Sequence, residues 1–302
     1  MIRWCAVMIL SKLSDDIFLS MINIAGTHDS ATAYVDFENQ ARCQRDTIES
    51  QLYMGVRLLD IRLALKNGRF FLVHSLANCY EDESKTKLLY FDEVLNICQQ
   101  FLKENPTETI LMSVKQDRGF QSKVFFQKFY LDYIKNKEKI WYLENEIPRL
   151  KDCRGKIVLL RRCKLSKSFL ADYKCGLDFS CWKDQKKTRD KNPCKVILND
   201  SSFAIVQDRY KLPPKEKWHS CAEKSLDCCR VSENIAAIHF LSTSSKGVTP
   251  FKASQYINEL FMRYELPKDR AVGWIFTDFP DEALNRKIML SNLKIYERDD
   301  IK

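Results

Sequence analysis

Short apolar runs rich in β-branched and aromatic residues recur eight times along the chain: Met21 to Ile24, Val56 to Leu63, Phe70 to Val73, Thr109 to Val114, Lys156 to Leu160, Phe203 to Val206, Ile235 to Phe240 and Val272 to Phe276. Continuous apolar runs of this length read as strands covered on both faces, which is what a parallel barrel demands. Between several of them the period changes to that of a helix. Phe91, Val94, Leu95, Cys98, Phe101 and Leu102 fall at i, i+3, i+4 and i+7 and predict one buried helix face that ends before Pro106. Phe126, Phe129, Tyr130 and Tyr133 form a second stripe, and Tyr256, Ile257, Leu260 and Phe261 a third.

The alternation lapses once. About eight residues separate Arg62 from Phe70, too few for a helix, though at about 3.3 Å each they could carry the chain back along the barrel. Asn67-Gly68 supplies a turn for that return, or for a two-residue hairpin that would pair the two strands antiparallel. The expected fold is therefore α/β: one imperfect (βα)8 TIM barrel over about residues 17–295, with 1–302 forming a single domain. No internal repeat and no Pro/Gly/Ser-rich linker interrupts it.

Composition adds three constraints. A hydrophobic content of 45% with only 8 Gly and 8 Pro is that of a packed globular chain. The net charge of +9 suits an anionic partner. The Lys and Arg residues are scattered and no nucleic-acid-binding motif accompanies them, so a lipid surface is expected and nucleic acid is not. The densest basic stretch, Lys183 to Lys195, reads as a solvated loop. The twelve cysteines are an even number, and Cys163, Cys175, Cys181, Cys194, Cys221, Cys228 and Cys229 cluster in the middle of the chain. Their expected state is disulfide-bonded, in a secreted protein; there is no Cys-x-x-Cys pair to suggest structural zinc. The sequon Asn199-Asp200-Ser201 points the same way. Met1 to Leu10 is too short for a normal signal peptide, and no run approaches a membrane span.

Chemistry concentrates at the ends of the runs. His28 follows the first, Asp60 and Arg62 end the second, His74 the third, Lys115 the fourth and Arg162 the fifth. Asp208 and Tyr210 follow the sixth, and Asp278 the eighth. In a barrel of this kind the C-terminal strand ends carry the active site. Only four histidines occur in the chain, and two of them lie here beside an arginine and carboxylates. One imidazole can take a proton from an attacking hydroxyl and the other can give one to a leaving oxygen, while a guanidinium neutralises a phosphate between them.

The strings Ile24-Ala25-Gly26-Thr27-His28-Asp29-Ser30, Gly55-Val56-Arg57-Leu58-Leu59-Asp60-Ile61-Arg62, Val73-His74 and Asn105-Pro106-Thr107-Glu108-Thr109-Ile110 with Ser113-Val114-Lys115 resemble the catalytic X region of bacterial-type phosphatidylinositol-specific phospholipase C. Arg154-Gly155-Lys156, Val206-Gln207-Asp208-Arg209-Tyr210 and Val272-Gly273-Trp274-Ile275-Phe276-Thr277-Asp278 resemble its later blocks, in order. The resemblance implies a metal-independent, cofactor-free cleavage of phosphatidylinositol in membrane surfaces, and of glycosylphosphatidylinositol anchors, by a monomer. It implies His28 as general base oriented by Asp278, His74 as general acid assisted by Asp29, and Arg62 on the phosphate with Asp60 balancing its charge. Lys115, Arg162, Asp208 and Tyr210 would hold the inositol. Arg161 is the neighbour that a slip of one residue would substitute for Arg162. Ser75 stands where the family usually has Gly, and 164–199 is a cysteine-rich insertion without a counterpart.

Two other readings are open. A metal-dependent phosphodiesterase of the glycerophosphodiesterase or sphingomyelinase D kind needs two carboxylates at the end of the second run, where Leu58, Asp60 and Arg62 supply one. An inactive lipid-binding module of the same fold would have lost an essential group, and none of His28, Asp29, Arg62, His74 and Asp278 is missing.

Overall fold

The computed structural model describes residues 8–119, 122–186 and 193–296; Met1 to Val7 and part of the basic stretch after Lys183 lie outside these. Twelve strands form one curled sheet. They are β1 (Ile24–Thr27), β2 (Leu58–Lys66), β3 (Arg69–His74), β4 (Ala77–Asn78), β5 (Ile110–Gln116), β6 (Trp141–Tyr142), β7 (Ile157–Arg161), β8 (Leu177–Asp178), β9 (Cys194–Ile197), β10 (Phe203–Gln207), β11 (Ile235–Phe240) and β12 (Trp274–Thr277). The order β7-β5-β2-β1-β12-β11-β10 is parallel throughout. Short β6 and β8 pair parallel with β7, and β9 pairs antiparallel with β10. Among the described residues no strand pairing joins these two edges. Asn145 spans the seam instead: its Nδ2 donates to the Leu198 carbonyl at 2.6 Å and its Oδ1 accepts from the Asp178 amide at 2.8 Å. The barrel is imperfect at this seam.

The third run is not a parallel stave. β3 folds back antiparallel on β2, with Lys66 opposite Arg69, and Asn67 and Gly68 turn with φ of +50° and +77°, the positive pair a tight hairpin needs. Eight residues in reach of a turn-forming Asn-Gly pair closed locally rather than crossing the barrel.

The strand alternation divides the core. On β2, β5 and β7, Leu58, Leu111, Val158 and Leu160 pack in one cluster with β10, β11 and β12. Leu59, Ile61, Met112, Val114 and Leu159 pack in another against the helices Phe91–Glu104 and Lys123–Tyr133. A Cβ on Gly26 would lie 2.9 Å from the Leu58 side chain, which places Gly26 on the inward face as well. The predicted helix faces hold: Phe91, Val94, Leu95, Cys98, Phe101 and Leu102 are all buried, as are Phe126, Phe129, Tyr130 and Tyr133. In helix Pro250–Arg263, Ile257 and Phe261 are buried but Tyr256 is exposed, because it lies outside the Ala253–Ile257–Phe261 stripe that faces the barrel.

The cysteines correct the expectation of disulfides. All eleven described cysteines are free, seven of them buried. Cys98 and Cys153 fill core positions as small apolar side chains. The sequon is likewise structural: Asn199 Oδ1 accepts from the amides of Ser201 and Ser202, and its Nδ2, where a glycan would attach, donates to the Asn145 carbonyl.

Below the barrel, Arg57 and Glu108 form a fully buried ion pair with Nε–Oε2 2.7 Å, and Arg57 also donates to the Leu52 and Val56 carbonyls. Arg57→Ala would leave Glu108 as an uncompensated buried charge, an expected loss of about 3–5 kcal/mol in a urea titration.

Candidate active site

The inward parity of each strand continues into the mouth of the barrel. Leu58 is followed by Asp60 and Arg62, Leu111 by Ser113 and Lys115, Leu160 by Arg162, Val206 by Asp208, Phe276 by Asp278 and Gly26 by His28, each two residues on. Parity also separates the two arginines. Arg161 follows outward Leu159 and pairs with Asp178 at 2.6 Å, whereas Arg162 reaches inward to Asp60 at 3.5 Å. β2 rises above its neighbours, and the hairpin brings β3 back down. Continuing its register sets His74 beside Ile61, at the level of Arg62. A parallel third strand was therefore not needed to deliver His74.

The turn after β1 is held to β2 by its small polar residues. Ser30 Oγ accepts from the Asp60 amide at 2.8 Å, and the Asp29 amide donates to Asp60 Oδ2 at 3.2 Å. Asp29 adopts φ +45°, a left-handed conformation that Asp tolerates better than most residues, and its carboxylate turns into the mouth. Gln44, unnoticed in the sequence, donates to the His28 and Thr277 carbonyls at 2.7 and 3.1 Å and so fixes the backbones that carry His28 and Asp278.

His28 Nδ1 donates to Asp278 Oδ1 at 2.8 Å, and its Nε2 lies 3.0 Å from Asp29 Oδ2. The same Asp29 oxygen is 3.3 Å from His74 Nε2, while His74 Nδ1 donates to the Ala41 carbonyl at 2.8 Å. Asp29 Oδ1 meets Arg62 Nε at 2.9 Å, and Asp60 Oδ2 meets another Arg62 nitrogen at 2.9 Å. Both imidazoles and the guanidinium thus surround one carboxylate. The headgroup candidates form the adjoining wall. Lys115 Nζ pairs with Asp117 at 2.8 Å, and Asp117 accepts the Ser75 amide at 2.6 Å. Ser75 has φ +54°, the strain a glycine would remove. The Arg162 guanidinium lies 3.9 Å over the Trp182 ring, and Tyr210 donates to Asp184 at 3.0 Å. Gln185 Oε1 accepts the Asp208 amide at 3.1 Å. Part of the 164–199 insertion therefore lines the mouth. Asp117, Trp182 and Asp184 were not singled out from the sequence; Asp117 could have been, since it lies two residues beyond Lys115 on the same face.

Charge sets the protonation states. Burial disfavours the His28 imidazolium, but Asp29 and Asp278 outweigh it and raise His28 to about 9. Burial pulls Asp60 up, yet Arg62 and Arg162 bring it down to about 2. Arg62, Lys115 and the Ser75 amide overcome burial to hold Asp117 well below the usual carboxylate range. Burial pushes Asp208 and the Cys43 thiol up. All ten residues expected in the site are gathered at the strand ends on one side of the barrel.

A barrel whose mouth holds two imidazoles, a guanidinium and paired carboxylates defines a protein built to handle a phosphodiester. Residues 24–163 match the model of the phosphatidylinositol-specific phospholipase C X domain. A 1-phosphatidylinositol phosphodiesterase of Listeria monocytogenes serovar 1/2a is 27% identical, over 94% of this chain and 84% of that protein. One from Staphylococcus aureus strain Newman is 26% identical, over 89% and 87%. Among solved structures, a variant of the phosphatidylinositol-specific phospholipase C from Staphylococcus aureus superposes with a TM-score of 0.76 at 24% identity, covering 93% of this chain and 95% of that one. The Listeria monocytogenes enzyme does so with 0.66 at 24%, covering 94% and 97%. The likeness to this domain thus lies in residues 24–163, while the relatives align over 89–94% of the chain.

Asp278→Asn removes one of the two charges that hold the His28 proton. The His28 imidazole is then expected to titrate clearly below about 9, losing its charge earlier as pH rises, in an NMR titration of the ring resonances. An unshifted titration would place the holding charge elsewhere.

Proposed function

We propose that this chain cleaves phosphatidylinositol at the phosphodiester by metal-independent acid/base catalysis. The observation that carries the reading is Asp29 Oδ2 standing 3.0 Å from one imidazole and 3.3 Å from the other. Two proton-transfer groups therefore flank one space, with Arg62 at its floor. The substrate brings its own nucleophile, the inositol 2-hydroxyl. When that hydroxyl takes the place of Asp29 beside His28 Nε2, the carboxylate that held the His28 proton is drawn off and His28 is free to act as base. Asp29 then serves His74, which protonates the diacylglycerol oxygen. Asp278 keeps the His28 tautomer and stabilises the imidazolium that forms. Arg62 takes the negative charge at phosphorus with two aligned donors.

Lys115, Arg162, Asp208 and Tyr210 hold ring hydroxyls in this scheme, and inositol 1,2-cyclic phosphate is the first product, from glycosylphosphatidylinositol anchors as well. Support for catalysis over an inactive lipid-binding module is that one network joins all five groups: Asp278 to His28, His28 and His74 to Asp29, and Asp29 to Arg62. Against a divalent-cation mechanism, Asp60 is already bound by Arg62 and faces Arg162 at 3.5 Å.

Apolar side chains adjoin the mouth. Leu76, two residues past His74, is 79% exposed; Phe37, before the helix whose Ala41 holds His74, is 68% exposed; and Phe251, stacked edge-on against Phe279, is 51% exposed. A cavity of about 750 Å³ lies elsewhere, under Tyr130 and Trp141, but one of about 710 Å³ sits beside this rim, lined by Arg42, Arg45, Lys252 and Phe251. Cations and aromatics together favour contact with an anionic lipid surface.

His28→Ala and His74→Ala are each expected to lower turnover on phosphatidylinositol vesicles by about 10²–10⁴-fold at unchanged circular dichroism. Near-wild-type rates would remove the residue from the mechanism, and phosphorus NMR showing only the acyclic monophosphate from the start would exclude 2-hydroxyl attack. Activity should survive EDTA. Arg62→Ala should lose about 10²–10³-fold, with Arg62→Lys recovering part, because a point charge lacks the fork. The paired change Phe37→Ser and Phe251→Ser should weaken vesicle sedimentation while sparing hydrolysis of a soluble inositol phosphodiester.

A further inference from the structure

Cys43 stands at the barrel mouth without a part in the acid/base scheme. Its amide donates to Thr32 Oγ1 at 3.0 Å and its carbonyl accepts from the Phe279 amide at 2.9 Å, so the backbone is pinned between the His28 turn and the Asp278 strand end. The side chain is buried, with Sγ 4.0 Å from His74 Nδ1. Among the described residues, one donor atom from each of His28, Asp29 and Cys43 lies within 4.8 Å of the others. Imidazole nitrogen, carboxylate oxygen and thiolate sulfur together make a donor set for a borderline-soft divalent cation, with zinc foremost. Calcium and magnesium want several oxygens and would find one carboxylate here.

We propose that His28, Asp29 and Cys43 form a zinc-binding site that switches the catalytic centre off when filled. Tetrahedral zinc, with bonds of about 2.0–2.3 Å, holds nitrogen and sulfur roughly 3.5 Å apart, so the three donors need close by little more than an ångström. The fourth position is left to water. The thiol proton goes to solvent as the bond to zinc forms, and thiolate plus carboxylate neutralise the ion's two charges beside Arg62. Filling the site occupies the imidazole that must accept the hydroxyl proton, and it draws Asp29 away from His74. The inhibition rests on the phosphodiesterase reading above; the binding does not.

Two measurements on the full chain separate these. With cobalt(II) as the spectroscopic probe, the wild-type protein should show a sulfur-to-cobalt charge-transfer band and tetrahedral visible bands, displaced by zinc and lost in Cys43→Ser. No such band, or an equal band in Cys43→Ser, overturns the site, whether or not the protein is active. On phosphatidylinositol vesicles, zinc should abolish wild-type hydrolysis and EDTA should restore it. Cys43→Ser should keep the metal-free rate and need at least about tenfold more zinc for the same inhibition, the scale of affinity lost when a metal's surroundings are altered. Equal zinc sensitivity of the two proteins overturns the switch even if cobalt binds.

Discussion

The guanidinium of Arg62 is what lets several carboxylates share a buried floor. Asp29 and Asp60 lie 2.9 Å from it and Asp117 4.0 Å, all three almost wholly shielded from water. Without a fixed cation these acids would repel one another and take up protons. With it Asp60 and Asp117 stay ionised, and each of the three then does something further. Asp29 reaches both imidazoles, Asp60 fastens the β1 turn through its backbone and side chain, and Asp117 holds Lys115 and the Ser75 amide. Burial raises the stakes in both directions: Arg62 itself is held more firmly protonated than usual by these partners, despite the cost of desolvation.

The same economy explains the open seam of the barrel. Where strand pairing lapses between β8 and β9, polar side chains carry the load: Asn145 bridges Leu198 and Asp178, and Gln185 donates to the Val206 carbonyl at 2.9 Å while accepting from Asp208. The insertion that supplies Gln185 also sets Trp182 on Arg162 and Asp184 on Tyr210. Closing the sheet and building this wall of the mouth are thus one structural act. The local lysine is similarly employed: Lys217, fully buried, donates to Gln207 Oε1 at 2.9 Å and to the Arg209 carbonyl at 2.6 Å, on either side of Asp208. Burial brings it down to about 8.

Most of the site was legible because a strand repeats every two residues. Once Leu58, Leu111, Leu160, Val206 and Phe276 are known to face inward, Asp60, Lys115, Arg162, Asp208 and Asp278 must follow them, and Arg161 must not. What could not be read were contacts between segments far apart in the chain. Gln44 on the backbones of His28 and Thr277, and Cys43 beside His74, depend on how a loop lies across the mouth. The third strand misled for a related reason: its apolar run satisfies either a stave or a hairpin, and turn geometry decides between them. The cysteines misled because an even count and central clustering describe free core thiols as well as they describe bridges.

By itself, then, the sequence determined which residues are apolar with what period, where the strands end, and which polar side chains those ends carry; these are local properties, governed by backbone geometry over a few residues. The tertiary structure decided the charge states and the partners. One Asp29 oxygen between two imidazoles and His28 raised to about 9 arise only when distant segments exclude water together, because desolvation and Coulomb energies depend on all neighbours at once.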